Sequence, residues 1–167
     1  MPKKISQDVF LLQHNFELLP LEVQELFDIA KKAADNAHSP YSNFQVGAAL
    51  KMANGDVYTG SNQENASFPA GLCAERVAIY AAKAQHPDVP VEFMVIVAKH
   101  IEAKDFQYAT PCGQCRQSMN EYEEKQETPI RIYLLAEDDQ VFESRSVENL
   151  LPFKFTANIL GANGAQN

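Results

Sequence analysis

The sequence predicts an α/β fold, and three observations carry that expectation. Val23, Leu26, Phe27, Ala30, Ala33, Ala34 and Ala37 recur at steps of three and four, which gives one apolar helix face. Phe44, Val46, Ala48, Leu50 and Met52 alternate with other residues, the period of a strand. Phe93-Met94-Val95-Ile96-Val97-Ala98 is a continuous apolar run, as expected of a central strand buried on both faces.

The remaining elements follow in chain order. Residues 1–18 carry no clear period and are expected to form an extension or a short irregular helix. Pro20 suits the first turn of the helix that follows, and Ser39-Pro40 ends it. Asn54-Gly55 marks a hairpin turn, after which residues 57–60 return as a second strand. Gly47 lies mid-strand, where a missing side chain permits close approach of backbone or ligand. Residues 61–72 form a long polar loop, a kind of connection that is often functional. Cys73 opens an Ala-rich helix that runs to about Ala84 and stops before His86-Pro87. Residues 99–110 are a polar connection, and Cys112 opens another helix toward Tyr122. Residues 130–135 and 141–144 read as strands joined by the Glu137-Asp138-Asp139 turn, for five strands in all. Ser146 can cap a short helix through Leu151, which Pro152 follows. Residues after Ala157 are rich in Gly, Asn and Ala and are expected to fray. The domain limits are thus an extension at 1–19, a domain at 20–157 and a tail at 158–167.

Composition narrows the function classes. The 167 residues suit one domain, which could bury about 70% of the unfolded chain's surface. No run of eighteen apolar residues offers a membrane span. Met1-Pro2-Lys3-Lys4 leads into no apolar signal core, so a cytoplasmic location is expected, where thiols stay reduced and available to metal. The net charge of -8 repels phosphate backbones and argues against nucleic acid as a partner, while a small uncharged ligand is compatible with it.

All three cysteines fall in two stretches, Cys73-Ala74-Glu75 and Pro111-Cys112-Gly113-Gln114-Cys115. The C-x-x-C spacing lets two thiolates bind one tetrahedral metal, and Cys73 can supply a third. Three protein ligands leave a position open, as in a catalytic zinc site. Glu75, two residues from Cys73, is placed to handle the protons of a water there. Both cysteine stretches open helices, whose N-termini favour ionised thiols. Arg76 can offset the negative charge of the cluster, though its position equally suits a surface helix residue. Other readings of the cysteines stay open at this point: a redox pair, or a closed structural zinc site with His100 as the fourth ligand. An odd count without a secretory signal disfavours a disulfide. Asn62 and Glu64, two apart in an extended segment, face the same side on the approach to Cys73.

Taken together and in order, several motifs closely resemble the small, tetrameric type of cytidine deaminase, from about Pro20 to Phe155. They are Ser39-Pro40-Tyr41-Ser42-Asn43-Phe44 with Val46-Gly47-Ala48-Ala49, then Asn62-Gln63-Glu64-Asn65-Ala66, Cys73-Ala74-Glu75-Arg76, and Pro111-Cys112-Gly113-Gln114-Cys115-Arg116-Gln117. The pairing of Cys-Ala-Glu with Pro-Cys-x-x-Cys is a zinc deaminase signature. The resemblance implies a three-layer α/β/α sandwich with a mixed five-stranded sheet. It implies Zn2+ on Cys73, Cys112 and Cys115, with Glu75 as the proton carrier. It implies substrate contacts from Phe44 to the pyrimidine, from Asn62, Gln63 and Glu64 to the ribose, from the Ala74 amide to the ring carbonyl, and from the Thr110 carbonyl to the exocyclic amine. Phe153 and Phe155 look like the segment that reaches the site of an adjacent subunit. The implied reaction is hydrolytic deamination of cytidine or deoxycytidine to the uridine product and ammonia, a step of pyrimidine salvage, in a homotetramer.

Related chemistries share parts of this pattern. A deaminase of an aminonucleoside antibiotic has the same two motifs. Nucleic-acid base deaminases usually carry His-x-Glu where this chain has Cys73-Ala74-Glu75, and they suit an acidic chain poorly. A zinc-stabilised binding module without catalysis is the alternative from outside the enzymes.

Overall fold

The computed structural model describes residues 2–161 and contains a single mixed sheet between two helical layers. The strands are β1 (Leu12–Asn15), β2 (Phe44–Met52), β3 (Val57–Ser61), β4 (Val91–His100), β5 (Arg131–Leu135) and β6 (Gln140–Ser144). The helices are α1 (Leu21–Ala34), α2 (Ala74–Gln85), α3 (Gly113–Gln126) and the one-turn α4 (Val147–Leu150). Strand order is β1-β6-β5-β4-β2-β3. β4 and β5 run parallel and the other neighbours antiparallel.

The apolar run at 93–98 explains the layering. Side chains alternate across a strand, so Phe93, Val95 and Val97 point one way and Met94 and Ile96 the other. The first set meets Val23, Phe27, Ala30 and Ala34 of α1. The second set meets Ala78, Ile79 and Ala82 of α2 and Cys115 and Met119 of α3. Phe27 and Phe93 are wholly buried, and each such burial contributes about 1.5–3 kcal/mol. The three-layer α/β/α arrangement expected from the sequence is therefore present.

The sheet has six strands, not five. The extra one, β1, lies at the edge against β6, with Leu12 opposite Glu143 and Asn15 opposite Gln140. Its sequence Leu-Gln-His-Asn has too few apolar positions to show a period, because only Leu12 and His14 are partly covered. Backbone pairing holds it, with His14 Nε2 at 2.8 Å from the Glu143 carboxylate. The segment before it is pinned by a side chain that imitates a strand: Asn149 Oδ1 accepts from the Phe10 N–H and Asn149 Nδ2 donates to the Phe10 carbonyl. Residues 158–160, expected to fray, belong to a turn of 3-10 helix (Ala157–Leu160), and the tail from 162 onward lies outside the described residues.

Two glycines set how closely helices sit on the sheet. A Cβ on Gly47 would lie 2.1 Å from the Ala30 carbonyl oxygen, so the close approach it permits is that of the α1 backbone. A Cβ on Gly60 would lie 2.3 Å from the Ala74 carbonyl oxygen. The first turn of α2 thus rests directly on β3, which fixes the place of Cys73 and Glu75.

Candidate active site

The N-termini of α2 and α3 meet at the three cysteines. Cys73 is the N-cap of α2 and Cys112 the N-cap of α3, and Cys115 lies in the first turn of α3. The Cys73 and Cys112 sulfurs are 3.7 Å apart and those of Cys112 and Cys115 3.5 Å. All three lie within 4.8 Å of one another. Tetrahedral zinc with Zn–S bonds of about 2.3 Å needs sulfurs about 3.8 Å apart, so the three thiols fit that metal. The redox-pair reading used two of the three thiols and left Cys73 unexplained. His100, the fourth ligand of the structural-zinc reading, ends β4 opposite Phe44 and is not part of the cluster.

The electrostatics favour a thiolate at Cys73. The hydrogen bond from Cys115, followed by the Arg76 guanidinium, brings Cys73 down to about 5. The same bond, followed by burial, pushes Cys115 up. Arg76 Nη2 donates to the Gly71 carbonyl at 3.1 Å and lies 4.0 Å from Cys73 Sγ, which turns its charge onto the cluster.

Glu75 is 4% exposed, and its Oε2 has no hydrogen-bond partner among the described residues. Burial is the main cause that raises its carboxyl to about 7. A buried carboxyl with an unpartnered oxygen calls for a polar ligand, and one that titrates near neutrality is suited to move protons both ways.

These groups open into a cleft of about 750 Å³. Phe44, Asn62, Gln63, Glu64, Cys73, Glu75, Arg76, Thr110 and Cys112 all line it. Asn62 and Glu64 are tied down. Asn62 Oδ1 accepts from the Val46 N–H at 2.8 Å, and its Nδ2 donates to the Phe44 carbonyl at 2.9 Å. Glu64 Oε2 accepts from the N–H groups of Tyr41 at 2.8 Å and Ser42 at 3.3 Å. The Ser42 side chain leads the causes that hold the Glu64 carboxyl below its usual range. Each keeps capacity for a ligand: a second proton on Asn62 Nδ2 and the Oε1 of Glu64. Gln63 exchanges both backbone bonds with Leu72, closing the 61–72 loop on itself. Ala74 is fully buried at the start of α2. Phe153 and Phe155 do not line the cleft and are 65% and 52% exposed.

The cleft also has walls that the sequence reading did not single out. Tyr41 and Phe68 form an edge-on aromatic pair at the mouth, 5.5 Å between ring centres. Leu72 and Ile96 add apolar wall. The length of the 61–72 loop was the available signal for Phe68 and Leu72. Nothing in the β4 run distinguished Ile96 from its neighbours.

Comparison with known proteins bears on this geometry. A family model described as the zinc-binding region of cytidine and deoxycytidylate deaminases matches residues 21–128, a span that includes all three cysteines. The chain belongs to the cytidine and deoxycytidylate deaminase family. A cytidine deaminase of Halalkalibacterium halodurans is 39% identical over 138 residues, covering 82% of this chain and 96% of that protein. The crystal structure of cytidine deaminase from Burkholderia pseudomallei superposes with a TM-score of 0.68 at 34% identity, covering 82% of this chain and 100% of that one. That from Mycobacterium tuberculosis gives 0.62 at 30% identity, with 81% and 98% covered. Zinc is the family's metal, and the spacing of the three thiols accommodates it. The three matches cover 81–82% of this chain.

Proposed function

We propose that this chain catalyses the hydrolytic deamination of cytidine and deoxycytidine, giving the uridine product and ammonia. The observation that carries the proposal is the meeting of three thiols and one buried, unpartnered carboxylate oxygen in a single cleft. Cys73, Cys112 and Cys115 hold Zn2+, which when bound acts as a Lewis acid and lowers the pKa of water. Arg76 offsets the charge of the thiolates. Phe44 lies against the pyrimidine, Asn62 and Glu64 bond the sugar hydroxyl with Gln63 alongside, and the Ala74 N–H faces the ring carbonyl.

Glu75 carries the protons. It takes one from the attacking water and places it on ring N3, which makes C4 electrophilic. The water oxygen bonds to C4. Glu75 then moves the second proton to the exocyclic amine, the C4–N bond breaks, and ammonia leaves as the C4 carbonyl forms. The Thr110 carbonyl accepts a hydrogen bond from that amine until it departs.

We further propose a homotetramer in which the Phe153–Phe155 stretch completes a neighbouring cleft, and a cytoplasmic role in pyrimidine salvage. The exposure of both aromatic rings supports the shared site. Two measurements test these readings. Cytidine should be deaminated far faster than free cytosine, and Glu64→Ala should erode that preference by about 1–3 kcal/mol, as for an unpaired polar group. Equal rates on base and nucleoside would contradict it. Light scattering should report a species well above 18.6 kDa, and a fully active monomer would rule out the shared cleft.

A further inference from the structure

We infer that Arg116 is a positioning residue that holds the Thr110-Pro111 wall of the cleft and so aims the Thr110 carbonyl at the substrate's amine. The inference rests on the deaminase reading above. Arg116 follows Cys115 directly in the first turn of α3, yet its side chain turns away from the thiols. Nε donates to the Pro111 carbonyl at 2.8 Å, Nη1 to the Leu150 carbonyl at 2.8 Å, and Nη2 to Thr110 Oγ1 at 3.2 Å. Three donors of one planar group thus meet three acceptors on two segments distant in sequence. No carboxylate is within ion-pair distance of it among the described residues, so the guanidinium serves as a shaped fork rather than a counter-charge.

The wall needs such a fork. Residues 101–112 belong to no helix or strand, and Pro111 has no N–H to contribute to a ladder. Pro111 is buried, so its carbonyl requires a donor, and Arg116 supplies it. Thr110 is exposed to the cleft, and no protein donor reaches its carbonyl among the described residues. The fork also bonds the end of α4 through Leu150, while the next residue, Gln117, donates to the Phe155 carbonyl at 3.0 Å. One turn of α3 therefore holds the amine-side wall and both ends of the C-terminal stretch together.

The chemistry of the two nucleosides makes the role measurable. Cytidine presents an amine at C4, a donor for the Thr110 carbonyl. Uridine presents a carbonyl there and gains nothing from that acceptor. If Arg116 acts by aiming Thr110, its loss weakens cytidine selectively.

The test uses the full-length, zinc-loaded protein and its Arg116→Gln, Arg116→Lys and Thr110→Val variants. KM for cytidine, competitive inhibition by uridine, zinc content and melting temperature are measured for each. Arg116→Gln should raise KM for cytidine roughly tenfold, the worth of one hydrogen bond, with uridine inhibition changed less than about twofold and one zinc per chain retained. Arg116→Lys should rescue little, since an ammonium cannot span three acceptors. Should Arg116→Gln not fold, Thr110→Val carries the test. It removes only the Oγ1 acceptor and should show the same selectivity for cytidine at a few-fold. Parallel loss of cytidine and uridine affinity, loss of zinc, or no change in either ligand overturns the inference. Failure of the unmodified protein to deaminate cytidine overturns the deaminase reading and this inference with it.

Discussion

Each of the two helices that gather the thiols begins with a cysteine at its cap and carries an arginine close behind, yet the two arginines face opposite ways. Arg76 of α2 bends back to Gly71 and Cys73 and puts its charge on the sulfur cluster. Arg116 of α3 bends outward to Thr110, Pro111 and Leu150 and spends its donors on the chain that borders the cleft. The burial of the two helix starts differs in the same sense. α2 is pressed on β3 through Gly60, with Ala74 and Glu75 buried. α3 begins openly, with Cys112 exposed and nothing within 4 Å of a Cβ on Gly113. The deep end is suited to proton transfer, because burial is what raises the Glu75 carboxyl. The open end is suited to shaping the cleft, because its Arg116 side chain holds Thr110, which lines it. Similar local sequence has been put to two uses by what lies underneath it.

The largest expected effect comes from removing the ligand that both ends share. Cys112→Ser keeps a good N-cap for α3 but deletes a thiolate. Elemental analysis should show zinc well below one per chain, turnover should vanish, and melting should shift down because metal binding is coupled to folding of the site. An active zinc-free protein would break the account of both helix ends. Next in size is Glu75→Gln, which alters the deep end alone. The amide keeps shape and hydrogen bonding but cannot exchange protons with water or N3. Turnover should fall by roughly 10²–10⁴-fold with zinc and assembly unchanged. Loss of zinc would make Glu75 a ligand, and near-normal turnover would make it a bystander.

Much of this was legible in the sequence because the relevant signals are local. The C-x-x-C spacing, the Cys-Ala-Glu stretch and the helix breaks around them place all three thiols and Glu75 at helix starts, where the structure has them. The apolar run of β4 announced a strand covered on both faces. What was not legible depends on contacts between distant segments. β1 is polar and four residues long, so its existence rests on pairing with β6 and on Asn149, more than a hundred residues away. Gly47 read equally as a ligand approach or a backbone approach, and only the position of α1 decides between them. Gln63 lies in the expected ribose-side segment, but its backbone pairing with Leu72 had no signature in the spacing. Arg116 sat in a recognised motif, yet its bonds to Leu150 and Thr110 have no signature in spacing.

Two glycines, Gly60 of β3 beneath the start of α2 and Gly113 at the start of α3, sharpen the contrast with smaller effects. Gly60→Ala forces a methyl group against the Ala74 carbonyl oxygen, and backbone on both sides has little room to give. Overpacking of this kind costs about 1–3 kcal/mol, so melting should fall, and zinc affinity should fall with it as Cys73 is pushed out of place. Unchanged zinc affinity would show that the seat of α2 on β3 does not set the sulfur geometry.

Gly113→Ala is the matching change at the open end and has the smallest expected effect, of opposite sign. Gly113 is the first residue of α3, its φ is not in the left-handed region, and a Cβ there meets nothing within 4 Å. Alanine limits the unfolded chain and favours the helix, so stability should rise by about 0.4–1 kcal/mol with zinc content unchanged. Denaturant titration of the two proteins side by side reads this directly. A loss of stability instead would mean that the start of α3 is covered in the assembled protein by another copy of the chain. The openness of α3 would then belong to the single chain alone, and the contrast with α2 would narrow to the direction of the two arginines.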